Sequence, residues 1–151
     1  MYRRHAVIVA VVLLAACASV PPPSAPLQLF VNYTSGDVWP RGVSARIYAD
    51  GTLELGDGAT QVRRRLPASE PRLARIREAL EESLFREELH AASIPSPEWR
   101  SSGSWIRIER GETVALIKPP VAAAHLRNVL ADVNALFGKA FGRRYEPIGL
   151  D

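Results

Sequence analysis

The tightest constraint on this chain is an Asp-Gly pair set between two alternating runs. Val43 to Ala49 places Val43, Ala45 and Ile47 on one side, and Thr52-Leu53-Glu54-Leu55 alternates again after Asp50-Gly51. A period of two marks half-buried strands, and Asp-Gly between them marks a type I′ hairpin turn, whose central positions need φ > 0. This part of the chain is therefore committed to antiparallel pairing. Leu27 to Thr34 (LQLFVNYT) alternates too, with Leu27, Leu29, Val31 and Tyr33 on one face. Ser35 to Gly42 (SGDVWPRG) reads as a loop by its Gly and Pro content. Gly56-Asp57-Gly58 turns the chain once more, and Ala59 to Leu66 offers a fourth strand interrupted by Arg63, Arg64 and Arg65.

The period then changes. Ser69 is placed to cap a helix, with Glu70 and Pro71 in its first turn. Leu73, Ile76, Leu80 and Leu84 recur at helical spacing, and Arg75, Glu78, Glu82 and Arg86 fall on the solvated side. Ala91 to Gly103, with Pro95 and Pro97, reads as a long polar loop. Ser104 to Glu109 and Thr113 to Lys118 form a second hairpin through Arg110-Gly111. Val121 to about Phe141 carries a wide apolar stripe of Leu126, Val129, Leu130, Val133, Leu136, Phe137 and Ala140. The expected class is α+β, in the order β-β-β-(β)-α-β-β-α. Its antiparallel sheet has about five strands, covered on one face by two helices.

The N-terminus reads as an address. Arg3 and Arg4 precede a continuous apolar run from Ala6 to Ala15, which is too short for the roughly 20 residues that cross a bilayer. It suits a signal peptide. The run leads into Leu14-Ala15-Ala16-Cys17, which resembles a bacterial lipobox. The resemblance implies cleavage between Ala16 and Cys17, acylation of Cys17 and membrane attachment through its acyl chains. Cys17 is the chain's single cysteine, so it has no internal disulfide partner. Acylation also disposes of an exposed thiol, and two or three acyl chains anchor stably at about 0.8 kcal/mol per buried CH2. By the sorting rule of enteric lipoproteins, Ala18 after the cysteine implies the outer membrane, facing the periplasm. Four of the chain's 12 prolines fall in residues 18–26, a polyproline spacer of about 3 Å per residue. The expected organisation is signal 1–16, acylated Cys and tether 17–26, one domain 27–145 and a tail 146–151.

Processing changes the charge balance. Loss of Arg3 and Arg4 takes the 19 basic residues to 17, against 16 acidic ones. The sequence pI of 9.4 therefore overstates the mature chain's basicity. A nucleic-acid partner is not expected of so balanced a chain. No HxxxH, CxxC or HExxH ligand spacing occurs, so neither a metal nor a cofactor is expected. Nor is there a GxSxG elbow, a Walker A loop or a GxGxxG turn. The sequence points to no enzyme. A small hydrolase would have to use His90 or His125, the two histidines left after processing. Glu81, Glu82, Glu87 and Glu88 lie among arginines, where helix-surface ion pairs such as Glu82–Arg86 form easily.

Two features suit binding. Arg63-Arg64-Arg65 would suit lipid phosphates or an acidic partner, or it is simply a solvated strand end. Trp39 and Trp99 lie in the two expected loops beside Arg41 and Arg100, and Trp and Arg are the residue types enriched at binding hot spots. The alternative is that each indole folds back over the core.

The order of elements resembles the emfourin family of small inhibitor-like domains. The resemblance is carried by Leu73-Ala74-Arg75-Ile76-Arg77-Glu78-Ala79-Leu80 with Phe85, by Trp105-Ile106-Arg107-Ile108 and by Leu126 to Leu136. It implies the α+β fold and a protein partner, an exported protease in the inhibitor case. This chain departs at the family's Gly-Gly turn. It has Ser35-Gly36-Asp37 there, with Trp39-Pro40 before Gly42. The expected protein is an envelope lipoprotein that binds a protein partner, or alternatively a structural or assembly lipoprotein.

Overall fold

The computed structural model of the chain describes residues 20–35, 42–58, 60–93, 103–142 and 145–151. The fold is α+β, as the alternating and helical periods require. Six antiparallel strands run as β1 (Leu27–Thr34), β2 (Gly42–Tyr48), β3 (Thr52–Asp57), β4 (Thr60–Arg65), β5 (Trp105–Arg110) and β6 (Thr113–Ile117). Their order across the sheet is β4-β3-β2-β1-β5-β6. The helices are α1 (Pro71–Glu81), α2 (Ser83–Ala92) and α3 (Ala124–Phe141).

One face of the sheet is apolar. Leu29, Val31, Val43, Ala45, Ile47, Leu53, Leu55, Ile106, Ile108, Ala115 and Ile117 are buried there with the helix stripes in a single core. On the other face Phe30 pairs with Arg46 and Glu109, so the helix-free side is mixed and partly polar. Burying these large side chains contributes roughly 1.5–3 kcal/mol each.

The sheet has six strands rather than five because β4 forms despite its arginines. It is an edge strand, where exposed charge is tolerated and discourages pairing with other chains. Arg63 donates two hydrogen bonds to Glu54 Oε1, at 3.0 and 2.7 Å, and Arg65 lies 3.5 Å from Asp50. Two of the three arginines thus neutralise acids on the neighbouring hairpin.

The Asp50-Gly51 hairpin forms, but not with the expected turn. The loop spans residues 49–51, Gly51 donates to the Tyr48 carbonyl at 3.1 Å, and only Gly51 has positive φ, at +84°. This is a three-residue connection closed by a left-handed glycine, not a two-residue type I′ turn. A Cβ on Gly51 would lie 2.6 Å from the Leu66 carbonyl oxygen, so the turn also demands glycine for space.

The first helical segment is broken. Glu82 adopts ψ 140° and separates α1 from α2. The expected stripe continued through Leu84, but Leu84 is 49% exposed and Phe85 is fully buried. The break shifts the inward register by one residue and brings Phe85 and Leu89 onto the core. It also removes the continuous helix that a Glu82–Arg86 ion pair needs. Ser69 is not the cap of α1; Glu70 holds that position, with Pro71 at the start of the helix.

α3 begins at Ala124, three residues later than the stripe suggested, and the Val121 N–H ahead of it donates to the Leu150 carbonyl at 2.9 Å. Residues 146–151, expected as a tail, pack into the domain. Ile148 is 3% exposed, and Asn134 exchanges two 2.9 Å hydrogen bonds with its backbone. Tyr145 packs edge-on against Phe137 and Phe141 and donates to Asp57. The end of the tether is also held. The Ala49 N–H donates to the Pro26 carbonyl at 3.0 Å, and Arg63 reaches the Val20 carbonyl at 3.4 Å. Val20 and Pro26 thus each touch the domain through a backbone carbonyl.

Candidate functional site

The two ends of β1 differ in what surrounds them. At its C-terminal end, Thr34 pairs with Gly42 of β2 on one side and Trp105 of β5 on the other. Partners in antiparallel ladders lie about 4.5–5.5 Å apart. The segment that carries Trp39 and Arg41 returns to the fold at Gly42. The segment that carries Trp99 and Arg100 returns just before Trp105. The four residues themselves lie outside the described residues, as do Ala16 and Cys17. The sheet nonetheless brings the roots of both segments to one point, which their separation in sequence does not reveal. Trp105 is half-buried on the helix-free face, with Lys118 Nζ 5.9 Å from its ring centroid.

At the other end of β1 lies a cleft of about 590 Å³. Its walls come from the start of β1 (Leu27, Gln28), from α1 (Arg77, Glu81), from α2 (Arg86, His90) and from the β5–β6 turn (Arg110, Thr113), and Leu80 and Leu89 line it as apolar residues. A bulge in β1 between Leu27 and Leu29 leaves Gln28 out of register with β2. Gln28 accepts from Arg77 Nε at 3.3 Å, and Arg77 Nη2 donates to the Ala49 carbonyl at 2.9 Å. That guanidinium is therefore held in place. Arg110 lies 3.6 Å from Glu81, whose side chain is 84% exposed. The side chains of Arg86 and His90 make no hydrogen bond or ion pair among the described residues. Sequence reading placed Arg86 among merely solvated residues and weighed His90 only as a hydrolase residue. Arg77, Arg86, His90 and Arg110 come from three separate segments, so no local motif announces the cleft.

His125 stands at a different depression of about 410 Å³, lined also by Arg75, Glu78, Glu82, Asn128 and Asp132. Its Nδ1 lies 2.7 Å from Glu88 Oε1, and Glu88 Oε2 accepts the Leu126 N–H at 2.9 Å. The Glu88 carboxylate holds the His125 imidazole well above its ordinary range. Burial pushes Glu88 up, but its bonds to His125 and Leu126 bring it below the usual carboxylate range. A carboxylate-paired imidazole can act as a base, but among the described residues no Ser, Thr or Cys lines this depression. The pair joins α2 to α3. Arg75 does the same for α1, donating from Nε to Asp132 at 3.0 Å.

Glu70 is the most buried acid among the described residues, with its side chain 3% exposed. Lys139 of α3 bonds its Oε2 and is the chief cause of a carboxyl held below the usual range. Arg72 stands 3.8 Å from Oε1. Among the described residues no group of three His, Cys, Asp or Glu side chains is arranged to hold a metal ion. No described helix is long and apolar enough to cross a membrane. No known protein family, no curated protein and no solved structure matches the chain.

Proposed function

We propose that this is a lipid-anchored protein of the bacterial envelope, attached through acylated Cys17 to the outer membrane and facing the periplasm. Its domain binds a protein partner through the sheet end where the Trp39/Arg41 and Trp99/Arg100 segments are rooted. The inhibitor-like order of the elements makes an exported protease the first partner class to test.

The observation that carries this reading is the polarity of β1. The chain enters the domain at Leu27 and reaches Thr34, the meeting point of both loop roots, seven residues on. Eight residues of strand span about 23 Å at 3.3 Å per step. Leu27, where the tether joins the domain, and the roots of the two tryptophan-bearing segments at Gly42 and Trp105 thus lie at opposite ends of β1. That is the arrangement of a tethered module that presents its binding surface away from the membrane.

Two measurements test it. Acyl labelling of the wild type and of Cys17→Ser should show label and membrane fractionation lost together in the variant. Mild-detergent co-purification from native envelopes should recover a partner with the wild type and lose it with Trp39→Ala/Trp99→Ala. A recovered protease, inhibited stoichiometrically, supports the inhibitor case. A recovered envelope assembly protein supports the structural alternative. Recovery of nothing with either form would overturn partner binding at these loops.

A further inference from the structure

We propose that the basic cleft at the start of β1 binds a phosphate-bearing anion. The site is separate from the loop end and does not depend on what binds there. Arg77, Arg86 and Arg110 against Glu81 leave a charge of +2 around the cleft, before any contribution from His90. Concave sites with low-dielectric walls focus such a field onto a small anion.

The donors are suited to phosphate. Arg77 is clamped by Gln28 and Ala49 through two of its five N–H donors, which leaves three for a ligand and costs little ordering when one arrives. Arg86 and His90 lie one turn apart on α2, the spacing that puts two side chains on one helix face. Both are exposed and without a bonding partner among the described residues. Arg110 has only the long contact to Glu81, which ligand phosphate would readily replace. Guanidinium groups bind phosphate oxygens in paired, charge-assisted bonds. Leu27, which is 42% exposed, gives the same cleft an apolar edge, so a phosphate joined to an apolar group fits better than a bare ion.

Two sources share this chemistry: the phosphate headgroup of a lipid and a soluble phosphate ester. The test uses the full chain, purified from envelopes in mild detergent and titrated calorimetrically. The probes are inorganic phosphate, dihexanoyl phosphatidic acid and, as a neutral headgroup, dihexanoyl phosphatidylcholine. Saturable binding of a phosphate-bearing anion is expected. Arg86→Gln and Arg110→Gln should each weaken it roughly tenfold, the loss of one charge-assisted contact. Arg107→Gln, on the helix-free face, should leave it unchanged. Binding of phosphatidic acid alone identifies a lipid headgroup, and equal binding of inorganic phosphate identifies a soluble ester. Three results would overturn the proposal: no saturable binding, equal binding of phosphatidylcholine, or equal weakening by Arg107→Gln. Arg86 is exposed and unbonded, so its variant tests the site even if Arg110→Gln disturbs the hairpin.

Discussion

Glu88 closes the N-terminus of α3 from a different helix. Its Oε2 accepts the Leu126 N–H at 2.9 Å while its Oε1 holds His125 Nδ1 at 2.7 Å. The residue at the cap position of α3 is Ala123, which has no side chain to offer the free N–H groups of the first turn. Glu88 supplies that acceptor, and its negative charge suits a helix N-terminus.

Glu88→Ala is therefore expected to cost about 1–2 kcal/mol in urea unfolding, the range of a lost helix cap. Glu88→Gln keeps an acceptor for Leu126 but loses the charge on His125, so it should cost less. A loss equal to that of the alanine variant would mean that the cap bond carries no weight.

The same pair sets a pH dependence. His125 has its pKa raised above 6.5, so its contribution is complete below that pH and is lost as pH rises through the raised value. Glu88 has its pKa lowered below 4.5, so its contribution is complete above that pH and is lost as pH falls through the lowered value. The pair contributes most between the two. Arg75, Glu78, Glu82 and Asp132 face the same depression, and the charge of Glu82 adds to that of Glu88 in raising His125. Thermal midpoints of the wild type should fall relative to His125→Gln as pH rises above 6.5. Parallel curves would remove the ion pair from the account.

Phe85 and Leu84 distinguish a broken helix from a continuous one. Phe85→Ala is expected to cost about 3–5 kcal/mol and Leu84→Ala less than about 0.5 kcal/mol. The reverse order, measured by denaturant unfolding, would restore the uninterrupted stripe and reject the break at Glu82.

Asn134 holds the C-terminal segment by a two-way backbone pair with Ile148. Asn134→Leu leaves two buried backbone groups without partners and should cost about 3 kcal/mol. Because Ile148→Ala loosens the same segment, the double variant should cost less than the sum of the two. Full additivity in urea titrations would show that the segment's anchoring is not shared.

Lys139 compensates a buried carboxylate. Lys139→Met should cost about 2 kcal/mol at neutral pH, below the full value for a buried pair because Lys139 is half-exposed. Glu70 has its pKa lowered, chiefly by Lys139, so the pair's contribution is present above pH 4.5 and is lost as pH falls through the lowered value. The gap between wild type and variant should close in acid. Glu70→Gln in the Lys139→Met background should recover part of the loss. Failure of that rescue would show that Lys139 matters through its packed stem and not its charge.

Much of the fold was legible because periodicity is a local property. The alternation in Val43–Ile47 and the stripe from Leu126 to Phe137 each state which side faces the core, whatever the rest of the chain does. Turn chemistry was legible in position but not in type. Asp50-Gly51 marks a reversal, yet the choice between two and three loop residues depends on how Gly51 meets Leu66. The site was less legible. Trp39 and Trp99 stand out by residue type, but Arg77, Arg86 and Arg110 look like ordinary surface arginines until three segments bring them to one cleft.

By itself the sequence determined the class, the apolar face of nearly every element and the expectation of an acylated Cys17, since each follows from short-range spacing or a contiguous motif. Only the tertiary structure decided the placement of β5 beside β1, the break at Glu82 and the burial of Ile148. It also decided the pairing of Glu88 with His125 and of Glu70 with Lys139, contacts that span 37 and 69 positions. Such contacts are chosen by how whole elements pack to fill one core and satisfy buried polar groups. That choice belongs to the assembled fold and leaves no trace in the local pattern of either partner.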